Sequence, residues 1–327
     1  MQLKLSDQRS PNCPFVDRIE NEDDHCFGVG MERTGYETIA EDSPSFEHWM
    51  SEINGVGLQD IIARPIPVPE LPRYLPTITR GSQTLFTDYR PEFVGVSLGD
   101  VVSTEKLYTP TSLRERFGIP AGTKVILLAY GRDRLIENLW PERKQVFARL
   151  AQLGFAAATS INYSIWAEQP HAERLINIKR SSLSYKSLQQ AGIPAIPHIY
   201  WHGRKDLTTW VKWLEANPAV NTAAINLQTI RHRPTWARAI EDLLFLVDCL
   251  PRPIHFMITG PQEFSRVRQI NKIFPSLTLT NGYTSRMAAA KQLIVTNGVV
   301  DWLEYTKGGN SETFKKNIGL YEQRLAA

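Results

Sequence analysis

Little in this chain points to a metal, a membrane or a phosphate loop. Cysteine is scarce: only Cys13, Cys26 and Cys249 occur in 327 residues. An odd, scattered set fits reduced thiols rather than a disulfide framework. CxxC is absent, so a zinc ribbon or an iron–sulfur centre lacks its usual ligands. Cys13, His25 and Cys26 offer three ligand types in one stretch. In a loop-like segment such a group is more often incidental, and no metal or cofactor is expected. Long apolar runs are missing too; none approaches the roughly 18 residues that cross a bilayer. The opening residues, MQLKLSDQRSPNCP, have no apolar core of a secretory signal, so a cytoplasmic protein without membrane contact is the expectation. Charge excess is small: the net +3 and the pI near 8.7 permit a nucleic-acid partner without demanding one. HExxH, Walker, GxGxxG and GxSxG patterns are absent from suitable places, which argues against metalloprotease, P-loop, dinucleotide-binding and α/β-hydrolase chemistry.

What is present is an ordinary globular composition, 42% hydrophobic and 22% charged, laid out in two unlike parts. Residues 1–92 read as an amino-terminal extension packed on the rest. DRIENEDDH is acidic, PSFEHWMSEI has the pattern of a short helix, and ARPIPVPELPRYLP carries proline at close intervals. Prolines remove backbone donors and favour extended chain, so that stretch reads as a strap, or as an arm that docks other protein subunits. Residues 93–327 alternate short apolar runs with helical patterns. The runs are FVGVSL, KVILLAYG, FAAATSIN, IPAIPHIYW, TAAINLQT, IHFMITG, LTLTNG and QLIVTNG. Near-continuous apolarity implies strands covered on both faces. About eight βα units predict a (β/α)8 TIM-like barrel with a carboxyl-terminal helix; an open doubly wound parallel sheet is the alternative.

Either fold places function at the carboxyl ends of the strands. Those ends carry Ser97 and Asp100; Asp133 and Glu137; Asn162, Tyr163 and Ser164; His198, Tyr200 and Trp201. Further along they carry Asn226, Gln228 and Arg231; Thr259, Gly260 and Gln262; Asn281, Tyr283 and Arg286. Amides bind the edges of heterocycles, aromatic rings stack on their faces, and Arg forks onto phosphate. A nucleobase or nucleotide fits that inventory, and so does a sugar. Carboxylates are the scarce component. Asp133 follows its strand directly, and Glu137 lies one helical turn on, so the two could share a face and do acid–base or nucleophilic work. The competing reading of Asp133 is a helix cap or a partner of Arg132 or Arg134. His198 is a candidate base or base-edge donor.

GRDRLIENLW, TSINYSIW with QPHAERLINIKRS, and AGIPAIPHIYW together resemble an uncharacterised family found in phages, plasmids and other mobile elements. The matching positions are Asn162, Tyr163, Ser164, Pro170, Pro197 and Trp201, within a resemblance that spans roughly residues 70–300. It implies a mobile-element or phage-defence setting and brings no established reaction. More distantly, IHFMITGPQ and LTLTNGYTSRMAAAK are similar in layout to the final strands of tRNA-guanine transglycosylases and DNA 7-deazaguanine transglycosylases. Those barrels imply base exchange through an aspartate. No Asp stands at the late strand ends here and no zinc-binding Cys set is present, so that role would fall to Asp133 or Asp100.

Two functions follow as expectations. One is an enzyme acting on a nucleobase, nucleoside or nucleic acid by base exchange or glycosidic cleavage, with DNA modification as its setting and Asp133, Glu137 and His198 as catalytic groups. The other is a non-catalytic nucleic-acid-binding component whose basic helices, HAERLINIKRSSLSYK and TIRHRPTWAR, touch phosphate.

Overall fold

Runs of aliphatic and β-branched residues such as FVGVS and KVILL cannot expose both faces of a strand, and the chain covers them by closing the sheet on itself. The computed structural model describes residues 46–102, 109–165, 169–297 and 300–326. Eight parallel strands form one sheet: β1 (Tyr74–Ile78), β2 (Phe93–Ser97), β3 (Lys124–Leu128), β4 (Ala157–Thr159), β5 (Ala195–Ile196), β6 (Thr222–Asn226), β7 (His255–Thr259) and β8 (Leu277–Asn281). Their spatial order is β5-β4-β3-β2-β1-β8-β7-β6. The two ends of that order meet at a single parallel bridge, His198 with Ala224. Ile199 N–H donates to the Ala224 carbonyl (2.9 Å) and Ala224 N–H donates to the Pro197 carbonyl (2.8 Å). The fold is therefore a closed (β/α)8 barrel.

Among the described residues eleven α-helices lie outside the sheet: α1 (Phe46–Ile53), α2 (Leu98–Val101), α3 (Pro110–Phe117), α4 (Asp133–Leu139), α5 (Arg143–Ala151), α6 (His171–Gln190), α7 (Arg204–Ala216), α8 (Arg233–Asp248), α9 (Phe264–Ile273), α10 (Tyr283–Ala289) and α11 (Asn310–Ala326). Local chemistry sets their ends. In α3, Thr109 and Ser112 form a capping box, Pro110 occupies the first turn, and Gly118 stops the helix at φ 72°.

Alternation along the strands divides the apolar residues into two cores. Leu75, Ile126, Leu128, Ala157, Ile196, Ala224 and Met257 fill the barrel interior, with Phe93 and Leu71 below them at the amino-terminal end. The opposite strand faces pack on the helices in a much larger cluster. Ala63 and Arg64 are pinned to the helix layer, their amide N–H groups donating to Asn217 Oδ1 (2.8 Å) and Gln189 Oε1 (3.0 Å). Thr278 then ties the proline-rich stretch to the barrel floor by donating to the Pro72 carbonyl (2.6 Å).

The strand count agrees with the expected eight, but the frame is displaced. YLPTI, read as part of a proline strap, is β1 and pairs with both β2 and β8. Pro76 has no N–H, so β1 offers one ladder donor fewer. QLIVTNG is not a barrel strand. It is β9 (Gln292–Thr296), which forms a separate antiparallel ribbon with β10 (Asp301–Tyr305).

The helix α6 has almost no polar face because its polar residues work inward. Ser181 donates to the Ile161 carbonyl (2.7 Å), Ser184 accepts from Ile161 N–H (2.8 Å), and Asn177 donates to the Ser164 carbonyl (2.7 Å). Its cations are internal as well. Lys179 is buried against Asp60 and the Gly57 carbonyl. Arg180 is fully buried and grips Glu137 of α4 at 2.5 and 3.2 Å. Its guanidinium lies over the rings of Tyr163 (3.9 Å), Trp140 (4.8 Å) and Trp49 (5.0 Å). Removing one partner of such a pair strands a buried charge, so Glu137→Ala should destabilise the fold by about 3–5 kcal/mol. Denaturant unfolding of wild type and variant measures this; a loss below about 1 kcal/mol would show that the pair is not a structural tie.

Candidate active site at the carboxyl-terminal mouth

Register decides which strand-end residues face the barrel axis. Partners in parallel strands share a face, so Thr77 with Gly95, Ser97 with Leu128, Asn226 with Thr259, and Thr259 with Thr280 all point inward. The same alternation carries Tyr130 and His198 inward, two residues beyond Leu128 and Ile196. Above an apolar middle, the mouth is thus lined by hydroxyls, amides and rings. Thr77 and Thr280 share a hydrogen bond (3.1 Å), as do Tyr130 and Thr259 across the barrel (2.9 Å). Ser97 Oγ donates to the Tyr130 carbonyl (2.9 Å) and Thr159 Oγ1 accepts from Ala129 N–H (2.8 Å). Thr77, Ser97, Tyr130 and Asn226 are only half-buried, so this floor is reached by solvent.

His198 is the unusual member. It is 1% exposed, its ring stacks on Tyr200 (4.5 Å) and meets Tyr130 edge-on (5.3 Å), and neither ring nitrogen has a protein partner. Burial pushes its pKa down to about 3, so it is a neutral imidazole at physiological pH. The Tyr200 hydroxyl is likewise buried and unpartnered, and burial together with the nearby Tyr130 and Asp133 keeps it protonated. Asn162 Oδ1 is a further buried oxygen without a partner.

Asp133 opens α4 directly after β3. Its carboxylate accepts from Ser164 Oγ at 2.6 Å and stands close enough for its charge to act on Tyr200. Ser164 is in turn held by the Asn177 bond to its own carbonyl. This sequence of contacts fixes a half-exposed carboxylate at the rim of the neutral mouth. On the same rim, Asp100 has its carboxyl pKa raised by burial, against the pull of Arg80. Glu173, in the first turn of α6, has a buried oxygen without a partner and a pKa raised to about 7 by burial.

Of the residues expected to form the site, the structure links Asp133 and Ser164 and, through Tyr200 and Tyr130, His198, Thr259 and Asn226, while Asn162 lies just past β4 near Ser164 in sequence. Others serve elsewhere. Glu137 is the buried partner of Arg180, and Tyr163 lies against that guanidinium in the helix layer. Trp201 points outward and donates to Asp242 (3.0 Å). Asn281 also points outward, where it accepts from Tyr74 (2.9 Å) and Tyr283 N–H (3.0 Å) and donates to the Pro261 carbonyl (2.8 Å). Gly260 is needed for a close approach: its φ is +118°, and a side chain there would meet the Gln228 backbone at 2.5 Å. Gln228 itself is exposed, and its N–H is held by Asn226 Oδ1 (2.9 Å). Gln262 and Arg286 pair on the rim (3.3 Å), Tyr283 is half-buried beside them, and the Arg231 side chain is exposed. Sequence reasoning missed Tyr130, Thr77, Thr280 and Glu173. Counting two residues past Leu128 finds Tyr130, whereas Thr77 is found only once β1 is known to be a strand.

Among the described residues no three His, Cys, Asp or Glu side chains gather as a metal site, and no helix is long and apolar enough to cross a membrane. Cys13, His25 and Cys26 lie outside the described residues.

A family model described as a domain of unknown function (DUF4417) matches residues 89–241, in keeping with the resemblance to an uncharacterised family. No curated protein matches the chain. Among solved structures it is similar to a crystal structure of a 4-hydroxy-2-oxoglutarate aldolase/2-deydro-3-deoxyphosphogluconate aldolase. That match has 12% identity and a TM-score of 0.42, and it covers 80% of this chain and 99% of the other.

The buried neutral imidazole carries a sign that can be checked. An unfolded chain binds a proton at His198 below about pH 6.5, and the folded chain refuses it down to about pH 3. Stability is therefore unaffected by this group above about pH 6.5 and falls as pH drops toward 3, by about 1.4 kcal/mol per pH unit. Denaturant unfolding at pH 6.5 and 4.5 should show a smaller loss for His198→Gln than for wild type; equal losses would mean that His198 is not buried neutral.

Proposed function

We propose that the barrel is an enzyme acting on a nucleobase or nucleoside at its carboxyl-terminal mouth, by base exchange or glycosidic cleavage. The observation that carries this reading is the pairing of one oriented carboxylate, Asp133 held by Ser164, with a floor of uncharged donors and acceptors. A neutral heterocycle matches such a floor: Asn162 and Asn226 face its edges, the Tyr130 ring flanks it, and the imidazole of His198 gains a partner. Charged ligands would face a ring that resists protonation.

In this reading the Asp133 carboxylate attacks the anomeric carbon as the bond to the base nitrogen breaks, and the departing nitrogen takes a proton from water at the rim. Water or an incoming base then displaces the carboxylate and returns the proton. Ser164 is a positioning residue for Asp133. Exposed Arg132 and Arg134, beside Asp133, are available to a nucleotide phosphate. A role in mobile elements or phage defence belongs to the same proposal and rests on the sequence resemblance alone.

The purely binding alternative has less support. It relied on basic helices, and Arg174, Lys179 and Arg180 of α6 are buried. Arg231 and Arg233, at the start of α8, are the exposed cations left to it.

Incubation with nucleosides and labelled free bases, followed by chromatography, tests the proposal. Asp133→Asn should reduce turnover by roughly a thousandfold or more, and Ser164→Ala by about tenfold, with base binding retained in both. Full turnover in Asp133→Asn, or failure of wild type to bind any nucleobase, would overturn it.

A further inference from the structure

The ribbon formed by β9 and β10 stands apart from the barrel, and its two edges are treated differently. On the β9 side the backbone is capped: Ile294 N–H donates to Asn317 Oδ1 (2.8 Å) and Asn317 Nδ2 donates to the Gln292 carbonyl (3.1 Å). One amide of α11 thus stands in for a neighbouring strand. On the β10 side no strand is paired among the described residues.

Backbone direction follows from that cap. Ile294 turns its N–H away from β10, and Leu303 is its register partner. In an antiparallel ladder the partner of such a residue also points away, so Leu303, with Asp301 and Tyr305 two positions either side, presents N–H and carbonyl groups outward. Thr306 N–H, one residue past Tyr305, reaches back to the Lys291 carbonyl (2.9 Å), as the alternation requires. The surface on this edge is also apolar. Of the six large hydrophobic residues exposed among the described residues, four are Val300, Trp302, Leu303 and Tyr305. Natural edge strands are commonly blunted by proline, lysine or a bulge, and DWLEY has none of these.

We propose that the β10 edge is a homodimer interface, in which two copies pair β10 with β10 antiparallel about a two-fold axis at Leu303. A two-fold perpendicular to the strands relates the two copies of β10 as an antiparallel pair. Centring the axis on Leu303 sets Asp301 opposite Tyr305 and uses every outward backbone group of the strand. It also sets Glu304 opposite Trp302, whose indole N–H already donates to its own Glu304 (2.7 Å), so donor and carboxylate alternate across the seam. A shift of the axis by one residue toward Glu304 would oppose the two Glu304 carboxylates, and a shift toward Trp302 would leave Tyr305 without a partner inside the strand. The register is therefore selected by charge and by overlap together.

Sedimentation of the full chain across a concentration series tests the interface. Wild type is expected to show a concentration-dependent dimer. Leu303→Pro removes the central outward donor without touching the bonds to β9, and should shift the dimer constant at least tenfold toward monomer, with unchanged circular dichroism. Should that variant misfold, Leu303→Cys remains informative. The two-fold brings the paired Cα atoms to about 5.5 Å, within disulfide range, so mild oxidation should yield a covalent dimer. Glu304→Cys, placed opposite Trp302, should give far less. Wild type that sediments as a monomer throughout, or equal cross-linking from both cysteine variants, would overturn the proposal.

Discussion

The barrel closes through the backbone of one small residue. Ala224 accepts from Ile199 and donates to the Pro197 carbonyl, and these two bonds join the ends of the eight-strand order. The strand on the other side, β5, is only two residues long and has a proline immediately before and after it. Proline has no N–H, so this segment offers few ladder bonds, and the seam depends on those it retains. A parallel bridge places both side chains on one face. Because Ala224 faces the axis, so must His198.

That constraint creates the chemistry of the mouth. His198 enters a space already filled by Tyr130 and Tyr200, where water does not solvate its charge, and its proton affinity falls accordingly. Thr77 and Thr280 satisfy each other on neighbouring strands and Thr259 satisfies Tyr130 across the axis, which keeps the floor polar without giving it charge. Charge enters at the rim, where Asp133 accepts a hydrogen bond from Ser164. The segment containing Ser164 is in turn positioned by serines and an asparagine of α6. A helix that looks weakly amphipathic is thus the support of the strand end it follows.

Much of this was legible in the chain. The βα alternation and the parallel sheet follow from apolar run lengths and from the helical patterns between them. The frame was harder to read. Pro76 made β1 look like a strap, and QLIVTNG has the composition of a barrel strand although it pairs outside the sheet. Composition reports that a segment is extended and apolar, but not which neighbour takes its hydrogen bonds. Asp133 and Ser164 appeared as separate candidates, and only the packing of α4 against the loop after β4 joined them. Glu137, one turn from Asp133, looked like its partner, yet a helical turn also rotates a side chain toward the next helix, where Arg180 waits.

By itself the sequence determined the class of fold, the approximate strand count and the inventory of polar groups at the strand ends, because those depend on periodicity and residue type. The tertiary structure decided which of those groups share a space. Inward and outward positions alternate residue by residue, so a register difference of one separates His198 and Thr259, which face the axis, from Trp201 and Asn281, which bind the outer layer. Register is set by pairing between strands distant in sequence, and no local pattern contains it.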